Sequence, residues 1–193
     1  MIGHGFVGAL QAASYVRPPI RTTGTGAGSI TETAAGYDLT GFADTAFAWL
    51  DAPKADGKWY WEATKGGTQI LFGIADDVTT TATYGGYSSA NAGVYSSSPQ
   101  LWVDSGWTGG STNGGWAGGA IANGDVLGFA LNLDSATKAL AIYQNGVQEG
   151  LISWTAGPSL IWPLFAFQFT APTSIKLGPG GCAYAPPAGY AYL

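Results

Sequence analysis

The sequence predicts an all-β domain of antiparallel strands behind an extended N-terminal arm, and three observations carry that prediction. Glycine fills 31 of the 193 positions and separates short aromatic and β-branched runs, as turns between strands do. In GDVLGFALNLDSATKALAIYQNGVQEG, Gly124 to Gly150, the residues Leu127, Phe129, Leu131 and Leu133 alternate and so share one face of a strand. The same stretch holds Asn145-Gly146, a strong hairpin signal because both residues tolerate positive φ. No segment predicts a helix, and there is no internal repeat.

Composition narrows the function classes. The chain fits one domain, long enough to bury a substantial core. Only 10% of it is charged and 46% is hydrophobic, yet no apolar run approaches the ~18–20 residues of a spanning helix. Membrane insertion is therefore not expected. The net charge of −5 comes from dispersed acids, and the seven Lys and Arg form no basic cluster, which argues against a nucleic-acid partner. Cys182 is the single cysteine, so no internal disulfide forms and zinc sites built on paired cysteines are excluded. The first Arg, Arg17, follows the apolar N-terminal stretch, so the basic region of a secretory signal is missing. The N-terminus MIGHGFVGALQAASYVRPP, residues 1–19, is read as part of the mature protein, and production in a cytoplasm without Sec export is expected.

In chain order, residues 1–30 are an arm and hinge, and residues 31–193 the β-domain with a Pro-rich tail. Pro18 and Pro19 favour extended backbone and remove two ladder donors. GTGAGS, Gly24 to Ser29, is a flexible hinge. Phe6, Val7, Leu10 and Tyr15, with Ile2 and Val16, make the arm more apolar than a solvated tail, which favours docking on a neighbouring subunit over fraying. KWYWEAT, Lys58 to Thr64, is an aromatic strand. QILFGIA, Gln69 to Ala75, is apolar on both parities, as a strand covered on both faces would be. Trp102, within LWV, is expected in the core.

The meander follows. After the alternating strand, Asp134-Ser135-Ala136-Thr137 has turn composition, with the Asp side chain able to bond backbone further on. Lys138 to Gln144 is the second strand, and a third follows Asn145-Gly146. SLIWPLFAFQF, Ser159 to Phe169, adds core strand, with Pro163 expected near an edge or bend. TSIKLG, Thr173 to Gly178, is the last strand.

With these residues placed, the chain resembles the SPRY family. GKWYWEAT matches the family's G-K-x-Y-x-E strand through Gly57, Lys58, Tyr60 and Glu62. ILFGIADD is similar to the strand that follows, and YGGY, Tyr84 to Tyr87, to a Gly-Tyr that members carry after a loop. The closest likeness is the G-D-V-x-G, L-D and N-G-V series between Gly124 and Val147. The resemblance covers residues 33–178 and implies an antiparallel two-sheet β-sandwich, the SPRY or concanavalin A-like jelly roll. KLGPGGCAYAPPAGY, Lys176 to Tyr190, is similar to a closing segment of SPRY-like proteins of bacteriophages and prophages. Gly178, Ala183, Tyr184, Pro186, Pro187 and Gly189 match it, whereas Pro179 to Cys182 depart from it. The resemblance implies recognition through loops without catalysis, but a shared fold does not supply the ligand.

The residues able to carry chemistry agree with a non-enzyme. A glycan hydrolase needs two carboxylates flanking one bond. The glutamates are Glu32, Glu62 and Glu149, and no spacing puts two on one strand face. Glu62 is the best single candidate for an acid and is read instead as a hydrogen-bonded strand residue. His4 is the only histidine and Cys182 has no base near it in sequence, so no nucleophilic triad is expected. Asp76, Asp77 and Asp104 are oxygen ligands in loops, which suits calcium. Adjacent acids in a turn more often cap backbone donors, so no metal and no cofactor are expected.

The binding candidates lie in DSGWTGGSTNGGWAGG, Asp104 to Gly119. Trp107 and Trp116 there have two readings. They fold back as lids, burying ~200 Å² each, or they present rings to a sugar or a protein, with Asp104, Ser111, Thr112 and Asn113 beside them. Tyr84 and Tyr87 extend the same surface if their loops converge. The expected function is that of a phage structural protein, a decoration or adhesion module on the virion docked through its arm. Its partners would be other capsid or tail proteins, a host surface glycan or further copies of itself. A carbohydrate-binding module is the main alternative, and a glycan hydrolase the third.

Overall fold

The computed structural model describes residues 15–23, 28–42, 46–67, 70–76, 91–96, 99–103, 111–112, 115–157, 159–167 and 173–193. Within them the chain is all-β. The strands run in order as β1 (Ile20–Thr23), β2 (Ser29–Thr33), β3 (Gly36–Thr40), β4 (Ala46–Leu50), β5 (Lys58–Lys65) and β6 (Ile70–Ala75). Next come β7 (Asn91–Tyr95), β8 (Gln100–Val103), β9 (Ser111–Thr112), β10 (Val126–Asn132), β11 (Lys138–Gln144) and β12 (Val147–Trp154). The last are β13 (Trp162–Phe167), β14 (Thr173–Lys176) and β15 (Ala191–Tyr192). No helix among the described residues is long and apolar enough to cross a membrane.

Two sheets form the sandwich. One has the order β1-β4-β13-β6-β7-β8; the other has β2-β3-β14-β5-β10-β11-β12-β9, with β15 also pairing β5. Every pairing is antiparallel except that of β15 with β5. The predicted meander is β10–β11–β12, and Leu127, Phe129 and Leu131 are fully buried on its inner face. Asn145 and Gly146 take φ of 51° and 84°, so the hairpin between β11 and β12 turns on the two residues expected. The inner faces close on a core in which Trp61, Trp154, Phe72 and Phe129 are fully buried. Trp61 stacks on Phe129 at 5.4 Å, and Phe129 meets Phe72 of the opposite sheet at 6.5 Å.

Long-range pairing changes four local expectations. Residues 15–23 do not behave as an arm. Ile20–Thr23 pair with Leu50 to Phe47 as the edge strand β1. Arg17 donates to the carbonyls of Thr33 and Ala34 at 2.6 and 2.7 Å, and its guanidinium lies 5.7 Å over the Tyr37 ring. The two prolines suit this path, because the connection into β1 is extended and the Pro18 carbonyl accepts the Tyr37 hydroxyl at 3.0 Å.

Trp102 is not in the main core. Its neighbours Leu101 and Val103 pack inward, so alternation puts Trp102 on the outer face, half-buried with Phe47, Trp49, Leu71, Ala75 and Tyr95. Leu71 and Ala75 are buried there while Phe72 and Ile74 are buried inside, the two-faced cover predicted for β6. Pro163 lies within the central strand β13, where the ladder to β6 includes it but the ladder to β4 begins only at Leu164. The missing N–H falls where pairing on one side has stopped. Asp134 accepts the Gly57 amide at 2.7 Å, 77 residues away, so its carboxylate joins two loops and does not close its own turn.

Candidate functional site

Glu62 has the most developed surroundings of any carboxylate in the described structure. Trp61 and Ala63 face the core, so alternation turns Tyr60 and Glu62 to the outer face of the nine-stranded sheet. The C-terminal tail crosses that face and buries Glu62 completely. The carboxylate accepts the Tyr60 hydroxyl at 2.8 Å, the Ala183 amide at 2.6 Å and the Tyr184 amide at 2.9 Å. Three donors satisfy a buried charge that would otherwise be costly. Burial and the bond to Glu62 push the Tyr60 phenol far above its ordinary value.

The tail is sewn down along its length. Ala191 and Tyr192 pair in parallel with Trp59 and Tyr60, and the Leu193 amide donates to the Tyr60 carbonyl at 2.8 Å. Tyr192 meets Tyr60 edge-on at 6.4 Å. Beneath lies a second apolar layer of Tyr60, Ala130 and Ala141, with Tyr143, Leu151, Cys182, Tyr190 and Tyr192 packed on it. Gly128 belongs to this face for lack of a side chain, since a Cβ there would stand 2.5 Å from the Tyr60 hydroxyl. Burial, then the Glu62 charge, pushes the Cys182 thiol up to about 12. At pH 8 the thiol stays protonated and is a poor nucleophile. Iodoacetamide is expected to label the native chain far more slowly than the urea-unfolded one; equal rates would show that the tail does not hold Cys182.

The glycine-rich loop is described at Ser111–Thr112 and from Gly115 onward. Trp116 is half-buried against the rim of the main core, and its indole N–H donates to the Gly119 carbonyl at 3.0 Å. The Ala117 amide ties the loop to β12 through the Glu149 carbonyl at 2.8 Å. Gly150 makes room for this, because a Cβ there would come within 2.7 Å of Leu101 and 3.4 Å of Trp116. Further on, Asp125 accepts the Ala122 amide, Gln144 and Asn145, binding the loop to the hairpin. Burial alone would raise the Asp125 carboxyl, but these bonds and the Lys65 charge outweigh it and leave it below its ordinary value.

This arrangement of strands is shared with solved structures. The SPRY domain of human HERC1 matches with a TM-score of 0.57 and 13% identity, covering 81% of this chain and 97% of its own. A second human SPRY domain matches with a TM-score of 0.54 and 14% identity, over 76% and 94%. The fold is a SPRY-type β-sandwich. Peanut lectin with a nine-residue peptide aligns at a TM-score of 0.48 and 12% identity, over 82% and 88%. No family model matches the chain, and no curated protein matches it.

On the SPRY-type sandwich, the candidate residues separate. Trp116 is partly buried against the main core, near Gly150 of β12. Ser111 and Thr112 form β9, paired with Ser153 and Ile152. Tyr15 binds its own chain, with its ring against Gly178 and its hydroxyl donating to the Leu193 carbonyl at 2.6 Å, so it is not free to dock elsewhere. Asp76 is a half-buried residue at the end of β6. Trp107, Asn113, Asp104, Asp77, Tyr84, Tyr87, Phe6, Val7 and Leu10 lie outside the described residues. Among the described residues, no three His, Cys, Asp or Glu side chains gather as a metal site would require.

The tail clamp was missed from sequence. Its signals were present: a glutamate sharing strand parity with a tyrosine, and a charge-free tail with tyrosines at 184, 190 and 192. Nothing local says that this tail returns to β5.

Proposed function

We propose that the chain is a non-catalytic recognition module, displayed on a viral particle as a decoration or adhesion protein and attached through the residues before Tyr15. The observation that carries the non-catalytic part is the state of Glu62. General acid–base hydrolysis needs a carboxyl within reach of substrate and a second one across the bond. Glu62 is sealed beneath the tail with its oxygens engaged by three donors from the chain itself. The SPRY-type fold supports recognition, and the likeness of the tail to bacteriophage SPRY-like proteins supports the particle. Other virion proteins, further copies of the chain and a host surface glycan are the partners this reading admits.

Two deletions test the attachment, because Tyr15, Arg17 and β1 are bound to the sandwich. Deleting residues 1–14, which leaves Tyr15, Arg17 and β1 in place, is expected to abolish co-sedimentation with particles from the producing cells. Deleting residues 1–23 also removes Tyr15, Arg17 and β1, and is expected to cost roughly 2–4 kcal/mol. If the full chain never sediments with particles, or still does so without residues 1–14, the attachment reading fails.

A further inference from the structure

We propose that the surface where the C-terminal tail meets the β11–β12 hairpin is a binding site for a neutral oligosaccharide. The proposal rests on the recognition reading above and locates its ligand away from the glycine-rich loop.

The site is built around Tyr184. The residue is 37% exposed, yet it is fixed on two sides. Its amide is held by buried Glu62 at 2.9 Å, and its ring lies against Gly146, where a Cβ would come within 2.7 Å of Cδ1 and Cε1. Only a residue without a side chain lets the ring settle on the hairpin tip, and the positive φ of 84° also favours glycine there. An aromatic residue held in place without being buried gives a contact surface with little ordering cost.

Beside it the hairpin exposes Asn145, Val147 and Gln148, and the same sheet face carries the half-buried Tyr143 and Tyr190. The Tyr143 hydroxyl is 3.4 Å from Gln148 Oε1, long enough that a ligand hydroxyl can replace the contact. Burial raises the Tyr143 and Tyr190 phenols, so both remain hydrogen-bond donors at neutral pH.

Charge selects the ligand class. In a chain with net charge −5, neither Leu177–Leu193 nor Tyr143–Gln148 contains an ionisable acid or base of the Asp, Glu, Lys, Arg or His type. The nearest acids are already engaged: Glu62 is buried under three donors, Asp125 accepts the Ala122 amide and the side chains of Gln144 and Asn145, and Glu149 lies against Gly118. An anionic or cationic ligand finds no counter-charge here. A neutral sugar finds an aromatic face for its C–H surfaces, with the Gln148 carboxamide and the phenols for its hydroxyls. A protein hot spot would instead be expected to carry a wider apolar centre sealed by a rim.

The test titrates the full chain with maltohexaose, cellohexaose, chitohexaose and mannohexaose, with heparin hexasaccharide as the charged control. Binding of at least one neutral hexasaccharide is expected, weakened about tenfold or more by Tyr184→Ala and retained by Tyr184→Phe. Tyr184→Ala keeps the amide that Glu62 holds, and an unchanged melting transition confirms that the clamp survives. Gly146→Ala, which displaces the ring, should weaken binding as well. No binding of any neutral sugar, preference for heparin, or loss on Trp116→Ala with Tyr184→Ala unaffected would each overturn the assignment. Particle association in the deletion experiment is independent of these outcomes, so the recognition reading can stand where this site fails.

Discussion

Trp61→Ala is expected to lower unfolding stability by about 3–5 kcal/mol, read as a shift of the urea midpoint with little change in slope. Trp61 is fully buried and stacked on Phe129, which in turn meets Phe72 across the sandwich. Removing the indole therefore opens a void between the two sheets. Trp61→Phe should cost much less. The indole N–H is buried with no hydrogen-bond partner among the described residues, so its removal offsets part of the lost packing. A loss below about 1 kcal/mol for the alanine variant would mean that the core relaxes around the gap and that the stack does not tie the sheets.

Glu62→Ala, one residue along and on the opposite face, should be nearly as severe for a different reason. It leaves the Ala183 and Tyr184 amides and the Tyr60 hydroxyl without their acceptor beneath the tail. A loss of about 3–5 kcal/mol is expected, with faster hydrogen exchange concentrated in the tail. Glu62→Gln keeps the shape but points an NH₂ group at a donor, and should fall between the alanine variant and wild type. If both variants match wild type in stability and tail exchange, the clamp has no energetic role. If Glu62→Gln instead abolished release of sugar from a glycan while the tail stayed protected, the non-catalytic reading would fail.

The core-facing pattern was legible wherever it is local. Leu127, Phe129 and Leu131 declared a strand face by alternation, and Asn145-Gly146 declared its hairpin, because side-chain direction and turn dihedrals depend on residues within one or two positions. The two-faced burial of β6 was likewise written in its continuous apolar run. Residues whose role depends on a distant partner were misread or unread. Trp102 looked like core because its apolarity is visible and its parity relative to the sandwich is not. Ile20–Thr23 looked like arm because an edge strand of four residues carries no period of its own.

The candidate site divides in the same way. The Trp116 loop could be found by its odd pairing of tryptophan with glycine, yet whether the ring caps the core or faces solvent depends on Gly150 and Leu101 beside it. Glu62 was recognisable as a strand residue, but its acceptor role depends on amides more than 120 positions away in sequence.

By itself, then, the sequence determined the β class, the meander, its hairpin and the lack of an internal disulfide, since each depends on residue type and near-neighbour spacing. Tertiary structure alone decided the order of strands in the two sheets, the capture of Tyr15 and β1, and the fold-back of the tail onto Glu62. Those outcomes depend on which of many compatible strand edges and apolar faces meet, and that choice is made by the free energy of the whole packed chain.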